Sequence, residues 1–193
     1  WVSITKDEKG RLYASSQYGN IYRVTVPINK QDSVIVEKLD FNIGMAQGLL
    51  WHKGVLYALV NSNNDNDLMM SSGFYKVTDS DADGELDDVK LLRSFEGNGE
   101  HGPHNIELSP DGRSLYLVLG NHTDIPEDLN STMPKVWGED NLLPVIKDPS
   151  GHANSRMAPG GWVVKTDFEG ENWTIMSVGM RNTYDFAFNA DGE

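Results

Sequence analysis

The sequence has no cysteine. That removes disulfides, thiolate metal sites, covalent haem attachment and thiol catalysis together, and it leaves the redox compartment unmarked. Positive charge is scarce too: 16 basic side chains face 29 acidic ones, a formal net charge of −13. An excess of that sign argues against nucleic acid and anionic membranes as partners and suits cations, Ca²⁺ among them. No apolar run reaches the ~18 residues a membrane-inserted helix needs, and no stretch of a dozen residues keeps a helical period. The chain opens on Trp1-Val2-Ser3-Ile4-Thr5, neither a start methionine nor a signal sequence, so its ends read as cuts. At 193 residues it is one domain, or a large piece of one, able to bury a sizeable core.

What the sequence does have is a repeat. Gly10-Arg11-Leu12-Tyr13-Ala14, Gly54-Val55-Leu56-Tyr57-Ala58 and Gly112-Arg113-Ser114-Leu115-Tyr116-Leu117 each set a turn glycine before a short apolar strand. A second strand follows each: Asn20 to Val24, Gly73 to Val77 and Gly161 to Lys165. A third lies in Val34 to Leu39, Val89 to Phe95 and Trp173 to Val178. The run before the Leu-Tyr turn supplies the fourth, in Gln47 to Trp51, Asn105 to Leu108 and, at the end, Asp185 to Phe188. Four short alternating strands per unit predict an antiparallel sheet, and the 44 residues between the first two tyrosines match the length of a propeller blade. The expected fold is therefore all-β, a β-propeller fragment of four-stranded blades. Blade one spans 1–40, blade two 41–96 and blade three 97–178, with 179–193 opening a fourth. A β-sandwich also holds many short strands, but it does not predict their ordered return.

Two segments exceed the repeat. One is the polar run from Asn61 to Ser72. The other is 121–160, with Pro126, Pro134, Pro144, Pro149 and Pro159. Loops this long inside a compact domain are usually functional or disordered, and Trp137, Leu142, Leu143, Val145 and Ile146 give the second enough apolar surface to pack, which favours an ordered lid over a tail.

Three clusters carry chemistry. Asp79, Asp81, Asp83, Glu85 and Asp87 alternate, with Gly84 in the sixth place, as in the first half of a calcium loop. Lys90 stands where a helix-loop-helix hand needs its bidentate Glu, so the pattern predicts a calcium-stapled β-turn or, failing a cation, a solvated acidic hairpin. The second cluster is Glu100-His101-Gly102-Pro103-His104-Asn105. Residues running into the innermost strand of a blade stand at the mouth of the central channel. There a histidine takes protons near neutral pH, and Glu100 would raise its basicity. The two imidazoles could instead ligate a metal or only satisfy backbone groups. The third cluster, Gly179-Met180-Arg181-Asn182, is the counterpart in the next blade, with Arg181 either a carboxylate-binding fork or a structural ion-pair partner. Gln47 stands at the matching place in blade two, so Gln47, His101 and Arg181 are expected around one axis. Weaker candidates are the sequons at Asn121, Asn130 and Asn172, His152, and Trp51, Trp137, Trp162 and Trp173 as stacking platforms for sugar rings.

At these residues the chain resembles the soluble glucose/sorbosone dehydrogenases, six-bladed propellers that use pyrroloquinoline quinone (PQQ) and Ca²⁺. The resemblance runs through the His101 segment before Pro110-Asp111-Gly112, Gly48-Leu49-Leu50, Gly161 to Asp167, and Gly179-Met180-Arg181-Asn182. From Gln47 onward it is closer still to planctomycete-type "membrane-bound dehydrogenase" or haem-binding propeller proteins. These share Glu-His-Gly-Pro-His, Trp-Gly-Glu-Asp, Ala-Pro-Gly-Gly-Trp and Arg-Asn segments and are often fused to cytochrome c. The resemblance implies quinone-linked oxidation of a sugar or polyol hydroxyl. His101 would be the general base with Glu100 its acidic neighbour, Arg181 and Asn182 would hold the quinone, and Gln47 and His104 would contact substrate. It also implies a periplasmic or extracellular setting, a cytochrome c acceptor, and further cofactor ligands beyond residue 193. The Asp79 to Asp87 calcium would be separate and structural. Two other readings stay open: a non-catalytic propeller binding carbohydrate or a protein partner, and a metal or electron relay built on His101 and His104.

Overall fold

The computed structural model describes residues 1–29, 31–62, 70–135, 147–148, 153, 156–157 and 160–192. Within them the chain is all-β, with three sheets in sequence order and a single 3₁₀ turn at Gly99–His101. Blade one runs β1 (Ser3–Lys6), β2 (Leu12–Ser15), β3 (Ile21–Thr25) and β4 (Ile35–Lys38). Blade two runs β5 (Ala46–His52), β6 (Val55–Val60), β7 (Gly73–Thr78) and β8 (Asp88–Ser94). Blade three runs β9 (Pro103–Leu108), β10 (Leu115–Leu119), β12 (Gly161–Thr166) and β13 (Trp173–Met180), and β11 (Asn130–Ser131) lies parallel to β13 as a fifth, outermost strand. All other pairings are antiparallel between neighbours in the blade order just given.

The strand period of two explains why the blades stack face to face. In β6, Leu56, Ala58 and Val60 pack toward blade one with Tyr13, Ile21 and Ile43. Tyr57 and Leu59 pack toward blade three with Ile106, Leu117, Trp162 and Trp173. Blade two is thus buried on both faces, and one strand feeds two cores. Aromatic pairs close the joints: Tyr13 stacks on Trp51 at 4.8 Å, His52 lies nearly parallel to Phe168 at 4.7 Å, and Phe74 meets Trp173 edge-on at 5.9 Å. Trp51, Trp162 and Trp173 therefore serve packing, and Trp137 lies outside the described residues.

The innermost strands of successive blades run side by side, β1 against β5 and β5 against β9. β1 was not foreseen as a strand, because three of the four residues in Ser3-Ile4-Thr5-Lys6 are polar. Its polarity has a structural use: Ser3 Oγ and Thr5 Oγ1 accept the backbone N–H groups of Leu49 and Trp51, each at 2.9 Å. Between β5 and β9 the backbones come so close that a Cβ on Gly48 would stand 2.8 Å from the His104 carbonyl oxygen. Only glycine fits at that place.

One expected strand is not formed among the described residues. Asp185–Phe188, expected as the first strand of a fourth blade, joins no ladder among the described residues. A strand is made by its pairing, and this segment meets blade three through side chains, Asp185 with Asn105 and Phe188 with Tyr116, without entering a backbone ladder. In the long segment 121–160, Leu129 is buried in the core and β11 adds to the edge of blade three. Trp137, Leu142, Leu143, Val145, Ile146 and His152 lie outside the described residues, and so does 63–69 in the polar run.

Candidate functional site

At one end of the innermost strands, a cleft of about 330 Å³ is walled by Val2, Gln17, Met45, Gln47, Asn61, Gly99, Glu100, His104 and Tyr184. These residues come from the starts of β1, β5 and β9, from the turn after β2, from the end of β6, and from the segment that follows β13. Sequence reasoning had expected functional groups at this convergence. A second cavity of about 410 Å³ shares Val2, Gln47 and Tyr184 and continues along β1, β5 and β9 past Asn105, Glu107 and Asp185. Asn105 Nδ2 donates to both carboxylates, at 3.3 Å to Glu107 and 2.5 Å to Asp185. Burial raises the Glu107 carboxyl above the usual range; the Asn105 donor works against this and Asp185 adds to it.

Of the expected site residues, Gln47, Glu100 and His104 line the mouth cleft, whereas His101, Arg181 and Asn182 are not among its described lining. His101 is 3% exposed. Its Nδ1 lies 2.6 Å from Asn121 Oδ1 and 3.8 Å from Asp148 Oδ2. Asn121 Nδ2 donates to Asp148 Oδ2 at 3.2 Å and to the Met157 carbonyl at 2.9 Å. Arg181 grips the same buried carboxylate through Nε at 2.8 Å and Nη2 at 3.0 Å. His101 and Arg181 are thus brought together through Asp148, whose carboxylate is buried while the Arg181 side chain is 45% exposed.

His104 is 2% exposed, and its Nε2 lies 2.6 Å from Asn182 Oδ1, whose Nδ2 donates to the Glu100 carbonyl at 3.2 Å. Tyr184 leans on the imidazole with ring centroids 4.9 Å apart. Burial pulls the His104 pKa below its ordinary 6.5; the Asn182 oxygen raises it in part, and His101 lowers it further. The Nδ1 of His101 and the Nε2 of His104 both face carboxamides.

Three residues were missed: Asn61, Asn121 and Asp148. A signal existed for two of them, since Asn61 follows the strand Leu56-Tyr57-Ala58-Leu59-Val60 directly and Asn121 follows Leu115 to Leu119 one residue later, after Gly120. Asn61 Nδ2 donates to the Gly99 carbonyl at 2.6 Å, and a Cβ on Gly102 would overlap its carboxamide. Glycine there lets the 99–102 turn seat against blade two. Asn121, 4% exposed, is committed to this network rather than open as a sequon.

In the acidic turn, Asp79, Asp81 and Asp83 each offer an oxygen within 4.8 Å of the others. All five expected ligands have protein partners: Asp79 accepts the N–H groups of Asp83 and Gly84, Asp81 that of Asp83, and Asp83 that of Glu85. Glu85 pairs with Arg23 of blade one at 2.9 Å. Asp87 accepts the Ser80 N–H and then its hydroxyl, both at 2.8 Å, and these bonds hold its pKa below the usual carboxylate range. Three converging hard oxygen donors fit Ca²⁺ chemistry. PQQ is a different case. It is a tricarboxylate, and the described cleft lining offers no Lys or Arg, while Arg181 and Asn182 are engaged by Asp148, His104 and the Glu100 carbonyl. The residues expected to hold the quinone do not fit it as folded.

Face-packed antiparallel blades, with a cleft where their innermost strands begin, define a β-propeller-type chain. No family model matches it, and no curated protein does. Among solved structures it is similar to a Thermus thermophilus protein provisionally described as an oxidoreductase (glucose dehydrogenase). Identity is 18%, the TM-score is 0.42, and the match covers 62% of this chain and 36% of that one. The chain spans little more than a third of that protein's length.

Proposed function

We propose that the chain binds a sugar or polyol at the mouth of a propeller channel, within a protein that acts on one of the ligand's hydroxyl groups. The observation that carries this reading is the chemistry of the cleft wall. Gln17, Gln47 and Asn61 supply neutral amides, His104 an imidazole, and Tyr184, Val2 and Met45 apolar faces. Such a wall hydrogen-bonds hydroxyls and packs against C–H surfaces, while the acidic Glu100 and the lack of cations in the described lining disfavour anionic ligands. Oxidation of the hydroxyl is what the sequence resemblance implies. No oxidative step is assigned to the described residues, because a quinone does not fit them. A Ca²⁺ ion on Asp79, Asp81 and Asp83 is a separate, structural part of the proposal.

A second reading, binding without catalysis, is favoured by the burial of His101, the expected base. The test is calorimetric titration of the protein with aldoses and polyols, paired with dye reduction after addition of PQQ and Ca²⁺. Binding with turnover supports oxidation. Binding without turnover supports the second reading, and no binding overturns both.

A further inference from the structure

We infer that His104 Nδ1 and Asn61 Oδ1 form a subsite for hydroxyl donors of an uncharged ligand, with Asn182 as the residue that sets the His104 tautomer. This rests on the reading above and names the atoms that would carry it. The Glu100 carbonyl only accepts, so the Asn182 group 3.2 Å from it is the amide nitrogen. That turns Asn182 Oδ1 toward His104, so Nε2 carries the proton and donates at 2.6 Å. In the neutral imidazole Nδ1 is then a bare lone pair. By the same logic Asn61 gives its nitrogen to the Gly99 carbonyl at 2.6 Å, which leaves Oδ1 without a donor beside Gly102, whose lack of a side chain is the space next to it.

Both atoms are buried and meet no donor among the described residues. An unmet buried acceptor costs about 1–3 kcal/mol, and two belong to residues lining one cleft. A group that satisfies them must bring hydrogens. It must also be uncharged, because two neutral acceptors cannot repay the desolvation of an ammonium ion as they can that of a hydroxyl. The ring that leans on the imidazole is Tyr184, 47% exposed and on a segment outside any ladder among the described residues. Seating a hydroxyl against Nδ1 therefore requires a shift of a half-exposed side chain, with no disturbance of a strand.

Histidine ¹⁵N NMR of the ligand-free protein reads the tautomer directly. His104 is expected with Nε2 protonated and Nδ1 bare, and Asn182→Leu is expected to mix the two forms. Calorimetry with glucose, sorbitol and glycerol then tests the subsite. His104→Gln keeps a donor for Asn182 but moves the acceptor away from the Nδ1 position, and it should weaken binding about tenfold, as should Asn61→Leu, which removes one. Melting curves check that each variant folds. A protonated Nδ1 in the free protein overturns the inference, and so does unchanged affinity in both variants while sugars still bind the parent. Tighter binding of ethylenediamine than of glycerol overturns the uncharged class. Failure of every sugar and polyol to bind overturns the proposed function and the subsite together.

Discussion

His101 and His104 stand three residues apart, both are almost fully buried, and each has a ring nitrogen 2.6 Å from an asparagine oxygen. They nevertheless belong to different structures. Asn121 gives its nitrogen to a buried carboxylate, so His101 is held through Nδ1 in a network that includes Arg181 and ties the start of β9 to the segment after β13. Asn182 gives its nitrogen to a backbone carbonyl, so His104 is held through Nε2 at the wall of the cleft. The same motif of amide-clamped imidazole thus serves cohesion in one place and presentation in the other. What separates the two is the partner behind the amide.

Removing that partner on the His101 side should produce the largest effect. Asp148→Ala leaves Arg181 and Asn121 without their shared acceptor and is expected to cost about 2–3 kcal/mol in urea unfolding. Arg181 can rehydrate, since its side chain is 45% exposed, which keeps the loss at that level. Sugar affinity should change far less than stability; the reverse would erase the distinction between the histidines. Gly102→Ala acts between them. Its Cβ overlaps the Asn61 carboxamide, so a loss of about 1–2 kcal/mol should come with weakened ligand binding.

A smaller effect separates the imidazoles by pH. The folded pKa of His104 is depressed, so the unfolded chain takes up a proton before the folded one does as pH falls below 6.5. Stability contributed by neutral His104 is therefore complete above 6.5 and is lost as pH drops through its folded pKa. His52, depressed mainly by burial, contributes in the same direction. His104→Gln should flatten this part of the stability profile without abolishing it. The smallest change expected at either histidine comes from the acidic turn. Ca²⁺ should raise the melting temperature by about 2–4 °C per kcal/mol of binding free energy, and Asp81→Asn should remove that response while sugar affinity stays as it was.

The strands were legible because each blade announces itself with a glycine turn and a Leu-Tyr run whose alternate residues face two cores. β1 was not, since hydroxyls that bond a neighbouring blade read in sequence like hydroxyls that meet water. At the site, Gln47 could be read from its place in the repeat, and Glu100 and His104 from the segment that runs into the innermost strand of blade three, β9. The diversion of His101 and Arg181 to Asp148 could not. Asp148 lies 47 residues from His101 and 33 from Arg181 in a stretch without repeat register, and a carboxylate's burial is a tertiary fact. The pairing of Glu85 with Arg23, 62 residues earlier, was hidden for a similar reason: alternation marks Glu85 as part of the acidic turn and is silent on a partner in another blade.

The two-residue strand β11 is a small element with a large protective role. It occupies the outer rim of blade three, where free backbone groups would otherwise invite another chain to zip on. Among the described residues, blade one has no such cover. Val34, Ile35 and Val36 at its rim are each more than half exposed, so if the protein self-associates under stress, growth should begin at blade one.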